Sequence, residues 1–304
     1  MKYAIISDIH GNLPALQLVL SDAAAQGAQQ YLFVGDYCVS APWPAEVTSL
    51  LMHMENAHFV CGNEESYLNI GDGDDGQFAV TRWCKNTLNA QQQNWLLALP
   101  AQLTLDCDGT PLHMAHSSEA FVGKTIHAHL RTRAVSQRWP ARTISREEFS
   151  QYAQSSLLHD DAFCQAAASL PEGIYIFGHT HTQFHIQLDN RLFINPGSCG
   201  LPLDCCDFGA PYTLLTIENG HTLVEERRLP YDVEALIVLA KASAQYAAAP
   251  EWSEVIFREW RTVREKIVDF LHFCDSYAHA VGDERRPFAR DTWHAAFEAW
   301  MNTQ

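Results

Sequence analysis

The chain contains 304 residues, 47% of them hydrophobic, and carries a formal net charge of −16 from 36 acidic and 20 basic residues. This length and composition are typical of a globular, enzyme-sized protein with one large domain or one domain plus an appendage. The negative charge argues against general binding to nucleic acid or to an anionic membrane. An anionic substrate would therefore need a local basic patch or a metal ion.

Cysteine usage and the N-terminal sequence indicate a cytoplasmic protein. The nine cysteines form no repeating framework and no Cys-x-x-Cys pair, and Cys205 and Cys206 are adjacent, which favours reduced thiols. The N-terminus lacks the charged start, apolar stretch and cleavage site of a secretion signal, and no run of about 18 apolar residues is present. We therefore expect a soluble, intracellular chain with no membrane partner.

The N-terminal part of the chain alternates between apolar strands and helices. Residues 3–7, 31–34 and 58–60 have the pattern of buried strands, and helical patterns lie between them at 13–27 and 44–54. Such alternation predicts parallel strands joined by crossover helices. The loops at the carboxyl ends of parallel strands meet at one edge of the sheet. Polar residues that follow these strands should therefore converge: Asp8, His10, Asp36 and Asn63.

The middle of the chain predicts one helix and then a second, more antiparallel half. The helix covers residues 78–97, and two strands, 103–105 and 111–115, follow it around a turn at Asp108 and Gly109. Further strands are predicted along the chain, with a tight turn at 195–198 among them. Their ranges are 174–177, 184–188, 191–194 and 212–217.

From about residue 231 the sequence becomes helical and rich in alanine and tryptophan. One helix is predicted over 232–246, an apolar stripe at helical spacing over 252–271, and another amphipathic helix around 293–301. We therefore predict a domain of residues 1–230 followed by a helical C-terminal extension of residues 231–304. The aromatic stripes would either pack on the domain or form a surface that joins two copies of the chain.

Two segments suggest ligand binding. Residues 117–150 carry six basic side chains before Glu147 against one acid, Glu119. This cationic segment is either solvated or a clamp for a substrate phosphate, because arginine suits anionic oxygens. Its basic residues are Lys124, Arg131, Arg133, Arg138, Arg142 and Arg146. Residues 71–76 alternate aspartate and glycine but lack the distant glutamate of a calcium loop, so we interpret them as a solvated turn.

Carboxylate, amide and imidazole groups stand at the ends of five predicted strands. They occur as Asp8-x-His10, Gly35-Asp36, Gly62-Asn63, His116 and Gly178-His179-x-His181. These donors suit manganese, iron, cobalt, nickel or zinc rather than a thiolate-seeking metal. Ser7 and Ser117 could be mistaken for nucleophiles, but they belong to no evident Ser-His-Asp arrangement.

From the first strand to about residue 230, the sequence resembles the calcineurin-like metallophosphoesterases. The family motifs Asp-x-His, Gly-Asp, Gly-Asn-His-Asp/Glu, a lone His and Gly-His-x-His are matched at similar spacings. The opening at 7–13 and the turn at 194–198 are most similar to the small bacterial and archaeal phosphodiesterases. The resemblance implies an α/β fold, a four-layer α-β-β-α sandwich with two metal ions. Two such ions about 3.5–4 Å apart can lower the pKa of a bridging water, orient it towards phosphorus and neutralise phosphoryl charge, so no protein nucleophile is then needed. The resemblance also implies the ligands: Asp8, His10 and His181 for the first metal, Asn63, His116 and His179 for the second, and Asp36 as the bridge.

Two positions depart from the family pattern. Glu64 stands where the family has a histidine that donates a proton to the leaving oxygen or holds a phosphate. A glutamate could act as a general acid only if burial or Glu65 raised its pKa. We therefore expect weak turnover of monoesters with poor leaving groups and better activity on diesters or anhydrides. Val39 replaces a second aspartate that is not a metal ligand in the family, and we expect little effect from it.

The sequence thus predicts a dimetal-dependent phosphoric ester hydrolase that uses a metal-bridging hydroxide, with Asp36, Asn63 and Glu64 as catalytic residues. Manganese is the expected metal, and a small anionic phosphodiester the expected substrate, with phosphoanhydrides or monoesters as further substrates. Two alternatives stay open. One is a phosphatase for phosphoproteins or dinucleoside polyphosphates, and the other is a scaffold that keeps the fold without turnover. The C-terminal helices could also support a homo-oligomer.

Overall fold

Two mixed five-stranded sheets form the centre of the computed structural model, which describes residues 1–107, 109–218 and 220–303. The first sheet has the strand order β10-β9-β1-β2-β3, and the second has the order β4-β5-β6-β8-β7. The strands are β1 Lys2–Ile6, β2 Gln30–Phe33, β3 Ala57–Phe59, β4 Gln102–Cys107, β5 Thr110–Ala115, β6 Gly173–Ile176, β7 Gln183–Leu188, β8 Arg191–Pro196, β9 Ala210–Glu218 and β10 His221–Leu229.

Helices cover the outer faces of both sheets and make up the C-terminal part. The first five are α1 Leu13–Ala25, α2 Pro44–Met52, α3 Asn63–Tyr67, α4 Ala79–Thr87 and α5 Ala90–Leu97. The next five are α6 Glu119–Val122, α7 Thr125–Leu130, α8 Thr132–Arg138, α9 Arg146–Leu158 and α10 Asp161–Ala168. The last five are α11 Val233–Lys241, α12 Ala244–Ala248, α13 Pro250–Thr262, α14 Ile267–Val281 and α15 Arg290–Met301.

Three apolar cores separate four layers. Alternate residues of β1 point to opposite faces, because successive side chains of a strand do so. Ile5 accordingly packs between the two sheets with Leu112 and Ile174, whereas Ile6 packs against α1 and its neighbours. The second sheet contributes Phe193 to a third core beneath α9 and α10. The predicted four-layer α-β-β-α sandwich is confirmed.

The strand directions place the polar loops together. β1, β2 and β3 run parallel to one another, as do β5, β6 and β8 in the second sheet. Because the two sheets pack face to face, the loops after β1, β2, β3, β5 and β6 meet at a common rim. Backbone hydrogen bonds join these loops directly, as from Asp8 N to Gly35 O and from Gly178 N to His116 O.

Several predicted elements differ from the structure. The single helix predicted over 78–97 is two helices, because Asn89 caps a new helix by accepting from Gln92 N. The cationic segment 117–150, for which no element bounds were predicted, contains α6, α7, α8 and the start of α9. The 232–246 segment is likewise divided into α11 and α12, and β10 was not predicted. Of the predicted turn at Asp108 and Gly109, Asp108 lies outside the described residues.

The C-terminal helices pack on the sandwich. Ile256 and Trp260 of α13 form a core with Ala41 and Leu201, which belong to loops at the rim. Trp260 also donates from Nε1 to Gly200 O at 3.0 Å. The boundary at residue 230 and a homo-oligomer through these helices stay predictions. Within the part of the chain that the structure describes, no helix is long and apolar enough to cross a membrane.

Candidate metal centre

Five of the predicted ligands have an unusual backbone conformation. Asp8, His10, Asp36, His179 and His181 all have φ between 51° and 68°. Positive φ is uncommon for residues other than glycine and costs free energy, so it persists only where the surrounding structure enforces it. Each of these residues directly follows, or lies close behind, the end of a buried strand. The turns thereby aim the five side chains into one space at the rim.

The glycines before the ligands serve two different purposes. Gly35 has φ of 94°, a conformation that glycine adopts at no steric cost. Gly62 and Gly178 are needed because of close approach. A Cβ atom at Gly62 would lie 2.0 Å from Asp36 Oδ1, and one at Gly178 would lie 2.0 Å from Ser7 Oγ and 2.4 Å from Asp8 Oδ2. Gly35 therefore allows a sharp bend of the backbone, whereas Gly62 and Gly178 leave room for the neighbouring side chains.

The first ligand cluster consists of Asp8, His10 and His181, whose ligand atoms lie within 4.8 Å of one another. His10 Nε2 is 3.1 Å from His181 Nε2, which in turn is 3.3 Å from Asp8 Oδ1. His181 Nδ1 donates to Leu201 O at 2.8 Å, and His10 Nδ1 lies 3.1 Å from Val39 O. A carbonyl oxygen only accepts, so Nδ1 carries the proton in both rings and both Nε2 lone pairs point inward.

The second cluster contains His116, His179, Asp36 and Asn63. His116 Nδ1 donates to Val34 O at 2.7 Å, so Nε2 is the nitrogen that faces the cluster. His116 Nε2 lies 3.1 Å from Asn63 Oδ1 and 3.3 Å from Asp36 Oδ2. Asp36, His116 and His179 also offer ligand atoms within 4.8 Å of one another. Asp36 lies beside both clusters, as a bridging ligand must.

Burial and crowding of these groups produce large pKa shifts. Burial lowers the pKa of His10 and of His116, but neighbouring carboxylates, Glu64 for His10 and Asp36 for His116, raise each pKa to about 10. Burial and His116 lower the pKa of His179 to about 4. Burial raises the pKa of Asp8, but His181, His116 and His10 together lower it, so the net shift is downward. In the metal-free protein, protons thus occupy places where a cation would bind, and metal binding has to displace them.

Glu64 and Glu65 have different surroundings. Glu64 Oε2 lies 3.0 Å from His10 Nδ1, and burial raises the pKa of Glu64 although His10 opposes this. A carboxylate on the outer nitrogen of a metal-binding histidine orients the ring and increases its basicity. Glu65 faces away from the cavity and accepts from the backbone N–H groups of Asp36, Tyr37 and Gly62. It fixes the Asp36 loop, a role that sequence reasoning did not identify. The catalytic role of Glu64 stays a prediction.

Most of the basic segment is used in contacts away from the metal clusters. Arg133 pairs with Asp269, Arg142 with Glu148, and Arg146 with Asp204 and Glu226. Arg138 stacks over Trp139 and Tyr152. Arg131 differs, because it lines a cavity of about 300 Å³ that also borders His179. A clamp made of all six basic residues is therefore not formed.

The C-terminal helices cover the metal-ligand clusters. The sequence did not show whether these helices would pack here or join two copies of the chain. A cavity of about 160 Å³ is lined on one side by predicted site residues that include His10, Asn63 and Glu64. Its other side is formed by Trp252, Ile256 and Glu259 of α13, by Glu265 and by the start of α14. A larger cavity of about 690 Å³ lies among ion-paired groups of the outer helices and contains none of the predicted ligands. We call the residues of α13 and α14 that line the smaller cavity, with Glu265 between the two helices, the roof. Residues 252–271 contain three glutamates among other charged residues, so the sequence does not single out Glu259 and Glu265 as part of it.

Comparisons with known proteins agree with this geometry. The family model for the calcineurin-like phosphoesterase superfamily domain matches residues 1–220. The chain belongs to this superfamily. A metallophosphoesterase from Sphaerobacter thermophilus is similar in structure, with a TM-score of 0.58 and 23% identity over 86% of this chain and 99% of that one. A hypothetical protein from Pyrococcus horikoshii has a TM-score of 0.58 and 15% identity over 84% and 97% of the two chains.

These two structures support the assigned fold. Membership in the superfamily indicates that the site binds metal ions. A phosphoesterase from E. coli is also similar, with a TM-score of 0.40 and 19% identity over 76% of this chain and 100% of that one. No curated protein sequence gives a significant match. The superfamily uses a dinuclear divalent metal site, and the two clusters supply suitable donors for one. Facing lone pairs on His10 and His181 fit a cation between them.

Proposed function

We propose that this chain hydrolyses phosphodiesters with two divalent metal ions held by the clusters at the rim. The observation that carries the proposal is the inward convergence of acceptor atoms. His10 Nε2 and His181 Nε2 are 3.1 Å apart, although each ring has its proton directed outward to Nδ1. Two lone pairs at this distance repel each other unless a proton or a metal ion lies between them. Metal ions bound there would supply Lewis-acid activation of water and charge neutralisation at phosphorus.

The shape of the site supports a diester rather than a monoester. His179 and Val268 line both the cavity of about 160 Å³ under the roof and the cavity of about 300 Å³ beside Arg131. A phosphorus atom bound next to His179 would therefore have space for one ester arm on each side. Asp8, buried and accepting from His179 N, and Asp36, accepting from Glu64 N, hold the surrounding loops in place.

The metal, the compartment and the partners follow from the same chemistry. Nitrogen and oxygen donors without thiolates favour manganese, with iron, cobalt, nickel or zinc as alternatives. The adjacent Cys205 and Cys206 are free thiols, which supports a cytoplasmic location. The substrate would be a small phosphoester, because the net charge of −16 disfavours nucleic acid and anionic membranes.

The test is activity after metal reconstitution. Metal-free protein would be loaded with Mn²⁺ and assayed on bis(p-nitrophenyl) phosphate, p-nitrophenyl phosphate, cyclic nucleotides and a dinucleoside polyphosphate. We expect the highest kcat/KM on the diester and none without metal. Preferred hydrolysis of the dinucleoside polyphosphate would favour the phosphatase alternative. Protein that binds no transition metal and gives no turnover with Mn²⁺ would favour the scaffold.

A second assay addresses the position that departs from the family pattern. Glu64→His restores the family histidine next to the metal clusters. If the missing histidine limits the attack on poor leaving groups, the variant should gain activity on monoesters, by up to about 10² to 10⁴-fold for general acid help. If the variant binds its full complement of metal but gains no activity on monoesters, the absence of the histidine does not explain a preference for diesters.

A further inference from the structure

The cavity beneath the roof has an unusual lining for an enzyme that acts on an anion. Glu64, Glu259 and Glu265 line it, and no lysine or arginine is among the described residues of its wall. The remaining surface away from the predicted ligands is largely apolar, from Leu201, Leu203, Ile256, Ile267 and Val268. The metal ions would take the phosphate charge, so the acidic wall faces another part of the substrate.

Glu259 is the most informative residue of this wall. It is 1% exposed, and its Oε1 accepts from the backbone N–H groups of Lys266 and Ile267 at 2.6 and 2.9 Å. Its Oε2 is buried and has no hydrogen-bond partner among the described residues. A buried carboxyl oxygen without a partner is costly. A ligand group that entered the cavity could supply the missing contact.

Glu265 stands beside Glu259 on the same wall. It accepts from Thr132 Oγ1 at 2.6 Å and from Val268 N at 2.9 Å. Burial and the neighbouring Glu265 raise the pKa of Glu259 well above its ordinary value. A cation bound beside the two carboxyl groups would offset the repulsion between them.

Trp252 completes the wall. It lines the same cavity, and its indole Nε1 is buried without a hydrogen-bond partner among the described residues. The ring face of tryptophan attracts ammonium groups, and its N–H can donate to an ester or phosphate oxygen. Carboxyl groups, an indole and aliphatic side chains together suit an alkylammonium group better than a hydroxyl or a second phosphate.

We propose that the cavity under the roof binds the alcohol arm of a phosphoester that carries an ammonium group, with Glu259 and Glu265 facing the cation and Trp252 flanking it. The volume of about 160 Å³ accommodates a short aminoalkyl arm. Cavities for drug-sized ligands measure about 300 to 1,000 Å³, so this volume favours a short arm over a nucleoside. This assignment rests on the proposed function, because it places the phosphate at the metal clusters, and it narrows the substrate class.

Calorimetry can separate the contribution of the positive charge to the binding affinity from the contribution of the ligand's shape. The full-length, Mn²⁺-loaded protein would be titrated with choline phosphate and with 3,3-dimethylbutyl phosphate, which has the same shape but no positive charge. We expect choline phosphate to bind at least about tenfold more tightly, since a desolvated cation gains from both carboxylate and indole contacts. Equal affinities, or tighter binding of the 3,3-dimethylbutyl ester, would overturn the assignment.

Variants of the cavity wall test which residues cause the preference for choline phosphate over 3,3-dimethylbutyl phosphate. Glu259→Gln keeps size and hydrogen bonding but removes the charge, and it should reduce the preference to within about twofold. Glu254→Gln is the matched control, because Glu254 lies on the same helix and pairs with Lys241 away from the cavity. It should keep the full preference. If Glu259→Gln fails to fold, Glu265→Gln replaces it with the same expectation, and retained preference in the folded variant would overturn the assignment.

Turnover distinguishes this inference from the proposed function. The same Mn²⁺-loaded preparation would be assayed on bis(p-nitrophenyl) phosphate, which carries no ammonium group. If this diester were not hydrolysed at all, the proposed phosphodiesterase activity would be contradicted. The ratio of the affinities for the two phosphate esters would still test whether the cavity binds an ammonium group. Normal hydrolysis together with equal binding of the two phosphate esters would contradict only the assignment of the cavity.

Discussion

Two buried clusters of charged groups in this molecule are built in opposite ways. In the metal centre, the carboxylates of Asp8 and Asp36 face imidazole nitrogens, and no lysine or arginine contacts them among the described residues. In the second cluster, Asp204 is fully buried but accepts from Arg146 and Arg228. The first cluster gathers acceptors that need a cation from outside, whereas the second carries its own cations. A buried carboxylate is thus a functional signal only when its partners are known.

The basic segment is partly used in ion pairs of the second kind. Three of its six basic residues pair with carboxylates: Arg133, Arg142 and Arg146. Arg146 joins Asp204 of the rim loop to Glu226 of β10, and its guanidinium also lies over Phe149. Half of the basic residues in this segment are therefore in structural charge pairs.

The largest expected effect comes from Asp36→Asn. The amide oxygen of the substituted side chain could still accept from Glu64 N, so the fold should persist, but a neutral amide is a poor bridge between two cations. Loss of several kcal/mol of transition-state stabilisation corresponds to a fall in kcat/KM of about 10³-fold or more. Steady-state kinetics with metal analysis would measure it. Full activity and full metal content in this variant would exclude the bridging role.

Asp204→Asn should damage stability instead of activity. Removing the Asp204 carboxylate leaves the Arg228 charge uncompensated and Arg146 with Glu226 alone, which costs about 3 kcal/mol of unfolding free energy. Urea unfolding would measure the loss, and Mn²⁺ binding at low denaturant should be unchanged. If the metal affinity fell as much as the stability, the two clusters would not be independent as argued.

The contribution of Asp204 to stability should depend on pH in a defined direction. Burial raises the pKa of Asp204, but Arg228 and Arg146 lower it more, so it lies below the ordinary value of 3.8. A carboxyl group with a lowered folded pKa binds fewer protons in the folded state. Its stabilisation is complete above the pKa of the unfolded chain and is lost as the pH falls through the folded pKa. The gap in unfolding free energy between wild type and Asp204→Asn should stay constant from pH 8 to pH 6 and shrink under strong acid.

Glu64→Gln should have an intermediate effect on metal binding. The amide oxygen can still face His10 Nδ1, but the negative charge that increases the basicity of His10 is lost. Changes to a group that supports a metal ligand in this way lower metal affinity by about 10 to 100-fold, and competition with a fluorescent chelator would measure this. Unchanged affinity would show that Glu64 does not act through His10.

The smallest effect is expected from Arg133→Ala. Arg133 and Asp269 form a pair in which both side chains are about two-fifths exposed, at 37% and 38%. Partly exposed pairs are screened by solvent and contribute less than about 1 kcal/mol. Thermal unfolding should therefore change little and diester hydrolysis not at all. A loss as large as that of Asp204→Asn would contradict the distinction between buried and exposed pairs.

The parts of the site that the sequence predicts are those set by local chain geometry. Asp8, Asp36 and His179 each follow a short buried strand, and the strand pattern alone places such residues at one rim. The positive φ angles of these residues depend on contacts between distant loops, so sequence patterns do not reveal them. The same is true of the space at Gly62, where a Cβ atom would lie 2.0 Å from Asp36 Oδ1. The same holds for the helix break at Asn89, where a capping box outweighs continuous helical periodicity.

The position of the roof over the metal-ligand clusters could not be predicted from the sequence. An apolar stripe that contains Trp252 and Ile256 predicts a buried face but not the surface that it covers. Glu259 and Glu265 have ordinary sequence surroundings and gain significance only from packing over residues about 200 positions earlier in the chain, such as Glu64. The partner of an amphipathic helix is set by tertiary packing, which a single sequence does not contain.

The central claim is that the converging donors bind two metal ions that enable phosphodiester hydrolysis. The most direct measurement is a Mn²⁺ titration of metal-free protein that records bound metal by calorimetry and bis(p-nitrophenyl) phosphate hydrolysis in parallel. The account predicts that activity rises from zero and reaches its plateau when two ions are bound per chain. Two bound ions without hydrolysis, or hydrolysis by the metal-free protein, would contradict it.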